Sequence, residues 1–145
     1  MLSFFTFMQS NTMNIEPYVA VSGMPGIYKI VNSRSNGLVV EDLDSGKVKF
    51  CPTRKHQFTP LGTVAIYTLD DTEPLNVVFQ TMLDKQSSLP PVPHNSKNHE
   101  LFEYFEGILP NWDEDRVYAS DIKKIIKWYN FLNERNLLTT SDEEE

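Results

Sequence analysis

The sequence predicts an α+β fold, in which a small antiparallel SH3-like barrel or bent sheet with a covering helix precedes a helix–extended loop–helix unit. Three observations indicate it. Short runs rich in Val, Ile and Tyr alternate with turn residues between positions 26 and 69. Apolar residues then recur at helical spacing. A stretch with three prolines, residues 86–98, interrupts that spacing.

The β-rich segment is expected to form four or five short strands. Its runs are residues 27–32, 38–43, 47–51 and 63–69. In the third run Val48 and Phe50 alternate with Lys47 and Lys49, so the apolar pair is expected in the core and the lysines in water. Strands this short predict a small, strongly bent sheet.

A first helix is predicted after the strands. Thr72 is a suitable N-cap and Pro74 suits the first turn. Its apolar positions are expected to cover the open face or end of the sheet, and they are Leu75, Val78, Phe79, Met82 and Leu83.

Two further helices are predicted around an extended loop. The first spans about residues 99–109 and ends before Pro110, because the residue preceding a proline is disfavoured in the α region. The second is expected to be capped by Ser120, with Asp121 near the positive end of its dipole. This helix-extension-helix pattern is similar to the SAP- and LEM-like folds, which divide between nucleic-acid and protein binding.

These elements predict the domain organisation. It comprises a disordered, uncharged arm at 1–14 with Met13 as an alternative start, a barrel-like domain with its helix at 15–85, a Pro-rich linker at 86–98, a helical unit at 99–138, and an acidic disordered tail at 139–145.

Charge and cysteine content limit the classes of function. Residues 84–145 carry seven Lys or Arg against thirteen Asp or Glu, which disfavours phosphate contact in that half. A single cysteine, Cys51, fits a reducing compartment. Neither an export signal nor a membrane helix is recognisable. The expectation is a cytoplasmic protein with no membrane partner.

Two motifs carry a family resemblance. The first is SGMPGIY at residues 22–28, and the second is LPNWDEDRVY at 109–118, continued by SDIKK at 120–124 and WYN at 128–130. Over residues 15–135 the chain resembles a family of small cytoplasmic Bacteroidetes proteins of unknown function, although Met24 stands where a lysine is common. Since that family has no established activity, the resemblance implies a bacterial protein of this architecture and no catalytic residues.

The acidic run at residues 113–115 does not fit a calcium loop. Counting from Asp113, position 6 is Tyr118 where glycine is needed, and position 12 is Lys124 where a bidentate glutamate belongs. The carboxylates are instead expected to pair with Arg116 or to cap a backbone turn.

Other chemistry is also disfavoured. Cys51, five residues before His56, is expected to be a small buried residue rather than a nucleophile. His94, His99 and Glu103 lack a fourth ligand and a rigid frame for zinc. Glycine-rich phosphate loops and a nucleophile-elbow motif are missing from the sequence. We therefore expect no enzyme, no metal and no cofactor.

The leading hypothesis is a non-enzymatic interaction module that binds a protein partner or its own copy. Trp112 and Trp128 are expected in the core, and an exposed one would serve as an interface anchor. The candidate interface residues are Trp112, Asp113, Asp115, Arg116, Tyr118 and Trp128.

The alternative hypothesis is an RNA- or DNA-binding accessory protein that uses the basic segment 47–56. Basic and aromatic residues interleave there, as in small barrels that stack bases and hold phosphates. The expected burial of Phe50 weighs against stacking. The candidate contacts are Lys47, Lys49, Arg54 and Lys55.

Overall fold

The fold was obtained as a computed structural model, which describes residues 13–138. Most of the predicted N-terminal arm and all of the acidic tail lie outside the described residues. The α+β class is confirmed. The described strands are β1 Tyr18–Val21, β2 Ile27–Arg34, β3 Gly37–Asp42, β4 Val48–Pro52, β5 Phe58–Pro60, β6 Ala65–Tyr67 and β7 Thr72–Pro74. The described helices are α1 Leu75–Asp84, α2 Asn98–Ile108 and α3 Ala119–Glu134, with a 3-10 turn at Leu61–Thr63.

The chain divides into two compact units, and the division lies at a different position in the sequence from the predicted boundary. The sheet unit is residues 15–64, and the helical unit includes residues 13–14 and 65–138. The predicted boundary between the two units was the proline-rich stretch 86–98. The difference arises because the β6–β7 hairpin and α1 make their contacts with the helices that follow.

The sheet unit is a five-stranded antiparallel sheet with the strand order β4-β3-β2-β1-β5. The register of β2 against β3 shifts between Ile30 and Asn32, which marks a bulge at Val31. One face carries a small core of Val19, Val21, Val40 and Cys51.

The expected orientation of β4 is wrong. Cys51 is fully buried and points to the core, so alternation along the strand turns Val48 and Phe50 to the opposite face. Val48 is 58% exposed and Phe50 38% exposed. Phe50 packs across Gly37 of the neighbouring strand, where an added Cβ would lie 2.8 Å from the end of its ring.

The helical unit buries the apolar faces of its three described helices against one another. Phe79 of α1 meets Tyr129 of α3 with ring centroids 5.9 Å apart. Helix α1 therefore belongs to the core of this unit, whereas the sequence grouped it with the strands that precede it. Its N-cap is Pro74 rather than Thr72, which lies in β7.

Helices α2 and α3 start and end close to the predicted residues. Helix α2 ends at Ile108, ahead of Pro110 as expected. Helix α3 begins one residue before the predicted cap. Its N-cap is Tyr118, whose backbone N–H donates to Asp121 Oδ2 at 2.9 Å. Ser120 is consequently inside the first turn, and Asp121 holds the helix start.

The proline-rich stretch 86–98 is attached to the helical unit rather than acting as a free linker. Gln86 Oε1 accepts the Tyr129 hydroxyl, and Leu89 packs on Gly107, where an added Cβ would lie 2.6 Å from Leu89 Cδ2. Lys85 Nζ donates to the Gly107 carbonyl at 2.8 Å. None of the helices within residues 13–138 is both long and apolar enough to cross a membrane.

Candidate interaction site

Trp112 is the centre of the loop that joins α2 to α3. Its indole stacks on Phe102 with ring centroids 5.5 Å apart and meets Phe105 edge-on at 5.8 Å. The indole N–H donates to Glu106 Oε1 at 2.8 Å, and only 5% of the residue is exposed. The expectation that Trp112 is a core residue is confirmed, so it does not protrude as an interface anchor.

The backbone of the loop continues the β6–β7 hairpin. Thr68 and Trp112 form an antiparallel bridge. On one side of it the Leu69 N–H donates to the Asn111 carbonyl at 2.8 Å, and on the other the Asp113 N–H donates to the Tyr67 carbonyl at 3.0 Å. This pairing attaches the extended loop to the β6–β7 hairpin, in addition to the contacts of Trp112 with α2.

Asp113 organises the turn that follows. Its Oδ2 accepts from Arg116 Nε at 3.0 Å, and its Oδ1 accepts from the Asp115 backbone N–H at 3.0 Å. The Arg116 guanidinium lies 4.2 Å from the centre of the Tyr67 ring. The expected pairing with Arg116 and the expected turn cap are both confirmed. The hydrogen bond from Arg116, followed by that from the Asp115 N–H, lowers the pKa of Asp113 below its usual 3.8.

The other predicted interface residues are only partly brought together. Tyr118 is 63% exposed at the start of α3, and Asp115 is exposed in the turn. Trp128 is half-buried on α3, so the expectation that it lies in the core is wrong. Across residues 13–138, no hydrogen bond, ion pair or ring contact joins Trp128 to the Trp112 cluster.

An open groove of about 400 Å³ lies over the Trp112 cluster. It is lined by Phe102, Glu103, Glu106, Trp112 and Glu114. The two aromatic rings provide an apolar surface and the three glutamates surround it. Within the described range, Glu103 and Glu114 make no ion pair.

Four of these lining residues were not identified from the sequence. Glu103 and Glu106 were expected only to keep the outer face of α2 in water, and Phe102 was assigned to its buried face. The spacing of Phe102, Glu103 and Glu106 does place them on adjoining parts of one helical turn. The missing information was the position of Trp112 over that turn.

The basic candidates lie in the sheet unit. Lys47 precedes β4, Lys49 is on it, and Arg54 and Lys55 occupy the turn after it, all exposed. That turn is tied to the β2–β3 turn, since the Thr53 N–H donates to the Asn36 carbonyl at 2.9 Å.

The residues considered for nucleophilic catalysis and metal binding are not brought together as a site within residues 13–138. Cys51 is buried as expected, with its Sγ 3.7 Å from Met24 Sδ. His56 Nδ1 lies 2.8 Å from the Ser22 carbonyl oxygen. In residues 13–138, no three His, Cys, Asp or Glu side chains are arranged to hold a metal ion.

Comparison with known proteins gives family matches without an activity. Residues 17–61 match a domain of unknown function, DUF5606, and residues 64–132 match a second domain of unknown function, DUF6852. These segments separate where the two compact units separate. No curated protein matches the sequence.

A solved structure resembles most of the chain. It is a solution NMR structure of a protein from Bacteroides vulgatus, determined by a structural genomics consortium. The two sequences are 31% identical, the match covers 88% of this chain and 91% of that one, and the TM-score is 0.70.

Replacing Trp112 by Ala should lower the free energy of unfolding by about 3–5 kcal/mol, because a buried ring that joins two elements is removed. Trp112→Phe retains a ring but loses the indole hydrogen bond, so it should cost about 1 kcal/mol beyond any repacking. Urea denaturation followed by circular dichroism measures both. Tyr118→Ala is the control, with an expected change within about 0.5 kcal/mol. A similarly small loss in Trp112→Ala would contradict this packing.

Asp113 should contribute to the pH dependence of stability. Because its pKa is depressed in the folded state, its contribution is present above the usual carboxyl value of 3.8 and is lost as the pH falls through the lower folded value. Stability curves of the wild type and Asp113→Asn should therefore converge as the pH falls through this window.

Arg116→Gln should have the same effect, since it removes the partner of Asp113. Lys124→Gln, an exposed basic residue elsewhere on α3, is the control and should retain the wild-type slope. Equal slopes in all four proteins would show that the Asp113–Arg116 pair is absent in solution.

Proposed function

The chain belongs to the same family as the Bacteroides vulgatus protein, and we propose that it is a non-enzymatic interaction module that binds a protein partner through the groove of the helical unit. The observation that carries this proposal is the open groove lined by the half-buried Phe102 and by the small exposed part of Trp112. Aromatic side chains at the centre of a concave surface are the residues that contribute most to protein–protein binding.

The groove is also pre-organised. Trp112 is held by ring contacts, by the bond from its indole to Glu106, and by the backbone bridge to Thr68. A surface fixed in this way loses little conformational entropy when a partner binds. The Asp113–Arg116 pair fixes the turn that follows Trp112 in the loop. We assign this structural role to the two residues, which the sequence suggested as interface residues.

Exposed apolar residues flank the same loop. Leu69 is 73% exposed and Tyr67 is 45% exposed, and both are joined to the loop by backbone hydrogen bonds. Neither residue lines the groove itself, so they add exposed apolar area along the loop and not to the groove. We place the protein in the cytoplasm on its single buried cysteine, and we assign it to the Bacteroidetes family that carries the two motifs.

A photo-crosslinking residue tests the proposed interface. With p-benzoylphenylalanine at position 102, irradiation in the native cell should give discrete protein adducts, because this side chain lines the groove. The matched control is position 131, another half-buried phenylalanine on a helix of the same unit, which should give no such adducts. Absent adducts, or identical adducts from both positions, would contradict the proposal.

A second candidate function is supported by the orientation of β4. Phe50 is exposed rather than buried, so it is able to stack on a base, and Arg34 lies 6.0 Å from its ring centre. The segment 45–64 has four basic residues and no acidic one. In an SH3-like barrel, which we take this sheet to be, such a surface would bind single-stranded RNA or DNA.

Fluorescence anisotropy with labelled single-stranded oligonucleotides tests this candidate. Binding should weaken steeply with added salt, by about 0.7 log units per log unit of salt for each phosphate contacted. Phe50→Ala should reduce affinity at all salt concentrations, and Arg54→Gln/Lys55→Gln should reduce the salt slope. Leu69→Ala, an exposed apolar residue of the helical unit, is the control. Lack of binding at low salt would exclude this function.

A further inference from the structure

We infer that the groove binds an extended basic segment of a partner protein, with an arginine or lysine side chain of that segment lying against Phe102 between Glu103 and Glu114. This inference rests on the proposed function and specifies the chemistry of the partner. The residues that carry it all line one groove of the helical unit.

The floor of the groove suits a cation. Phe102 is the half-buried ring that lines the groove, and its stacking on the buried Trp112 at an interplanar angle of 21° fixes its position. Aromatic faces attract a guanidinium or ammonium group placed within about 6 Å of the ring centre. The chain makes such contacts internally, with Arg116 on Tyr67 at 4.2 Å and Arg135 on Phe131 at 3.6 Å.

The rim supplies the opposite charge. Glu103 and Glu114 are exposed and make no ion pair within residues 13–138. Glu106 accepts the indole N–H with one oxygen. Arg116, the basic residue nearest in the loop, is already bonded to Asp113 and stacked on Tyr67. The carboxylates therefore remain available to a basic group from outside, and a guanidinium would bond to them in a charge-assisted geometry.

The charge of the unit favours a basic protein segment over other occupants. Residues 65–138 contain twelve Asp or Glu against seven Lys or Arg. A nucleic-acid backbone would be repelled by this unit, and an acidic peptide would face three carboxylates at the groove itself. Complementary charge also increases the rate of encounter with a basic partner and excludes acidic ones.

Peptide titration of the full chain tests this inference. In a Trp128→Phe background, the fluorescence of Trp112 reports on the groove. A capped peptide of alternating Arg and Ala should change it saturably, while the same peptide with Gln or Glu in place of Arg should not. Added salt should weaken the binding because the contacts are ionic.

Substitutions at the rim provide the decisive comparison. Glu103→Gln/Glu114→Gln should weaken binding of the Arg peptide at least about tenfold, since two charge-assisted contacts are lost without a change in size. Asp71→Asn removes an exposed charge outside the groove and should leave the affinity unchanged. Circular dichroism verifies that each variant is folded. Equal affinity for the Gln peptide, or an unaffected double variant, would overturn the inference.

Two outcomes separate this inference from the proposed function. In the first outcome, the adducts from position 102 persist unchanged in the Glu103→Gln/Glu114→Gln variant, and the protein shows no selectivity for the Arg peptide. This result would overturn the inference that the partner segment is basic, but the groove would still be a protein-binding site. Self-association in sedimentation experiments that this double variant abolishes would identify a second copy as the occupant and overturn a separate partner. Absence of adducts from position 102 would remove both proposals.

Discussion

The burial of Trp112 between α2 and the β6–β7 hairpin is the constraint on which the helical unit's surface depends. One side chain stacks on Phe102, meets Phe105 and bonds to Glu106, while its backbone bridges to Thr68. The loop therefore cannot adjust to one element without disturbing the other. As a result the ring that stabilises the core also lines the groove, so stability and the proposed recognition depend on one residue.

The sequence was sufficient for features set by local chemistry. The end of α2 before Pro110 and the Asp113–Arg116 turn follow from neighbouring residues alone. The sequence was insufficient wherever one residue pattern is compatible with two different arrangements in space. Alternation in β4 permits either face to be buried, and only the position of Cys51 against the core decides it. The apolar stripe of α1 predicts that this face is buried but does not identify the element that it packs against. For that reason the predicted boundary between the units was wrong. The groove required Trp112 and α2 together, so only Trp112 was identified beforehand.

The two units differ in chemistry as well as in fold. The sheet unit has six Lys or Arg against four Asp or Glu, with an exposed phenylalanine on its outer face. The described part of the helical unit is acidic and presents an aromatic groove. Each unit matches its own domain of unknown function. The chain's net charge of −7 conceals that division.

If Trp112 is fixed beneath the groove before any partner binds, the exchange of its indole proton with solvent shows this most directly. The indole N–H of Trp112 is bonded to Glu106 and almost wholly buried. In heteronuclear NMR spectra of the free protein, its signal should exchange as slowly as the buried backbone amides of α2, and Glu106→Ala should accelerate it. An indole proton of Trp112 that exchanges at the rate of a fully exposed tryptophan would contradict the account.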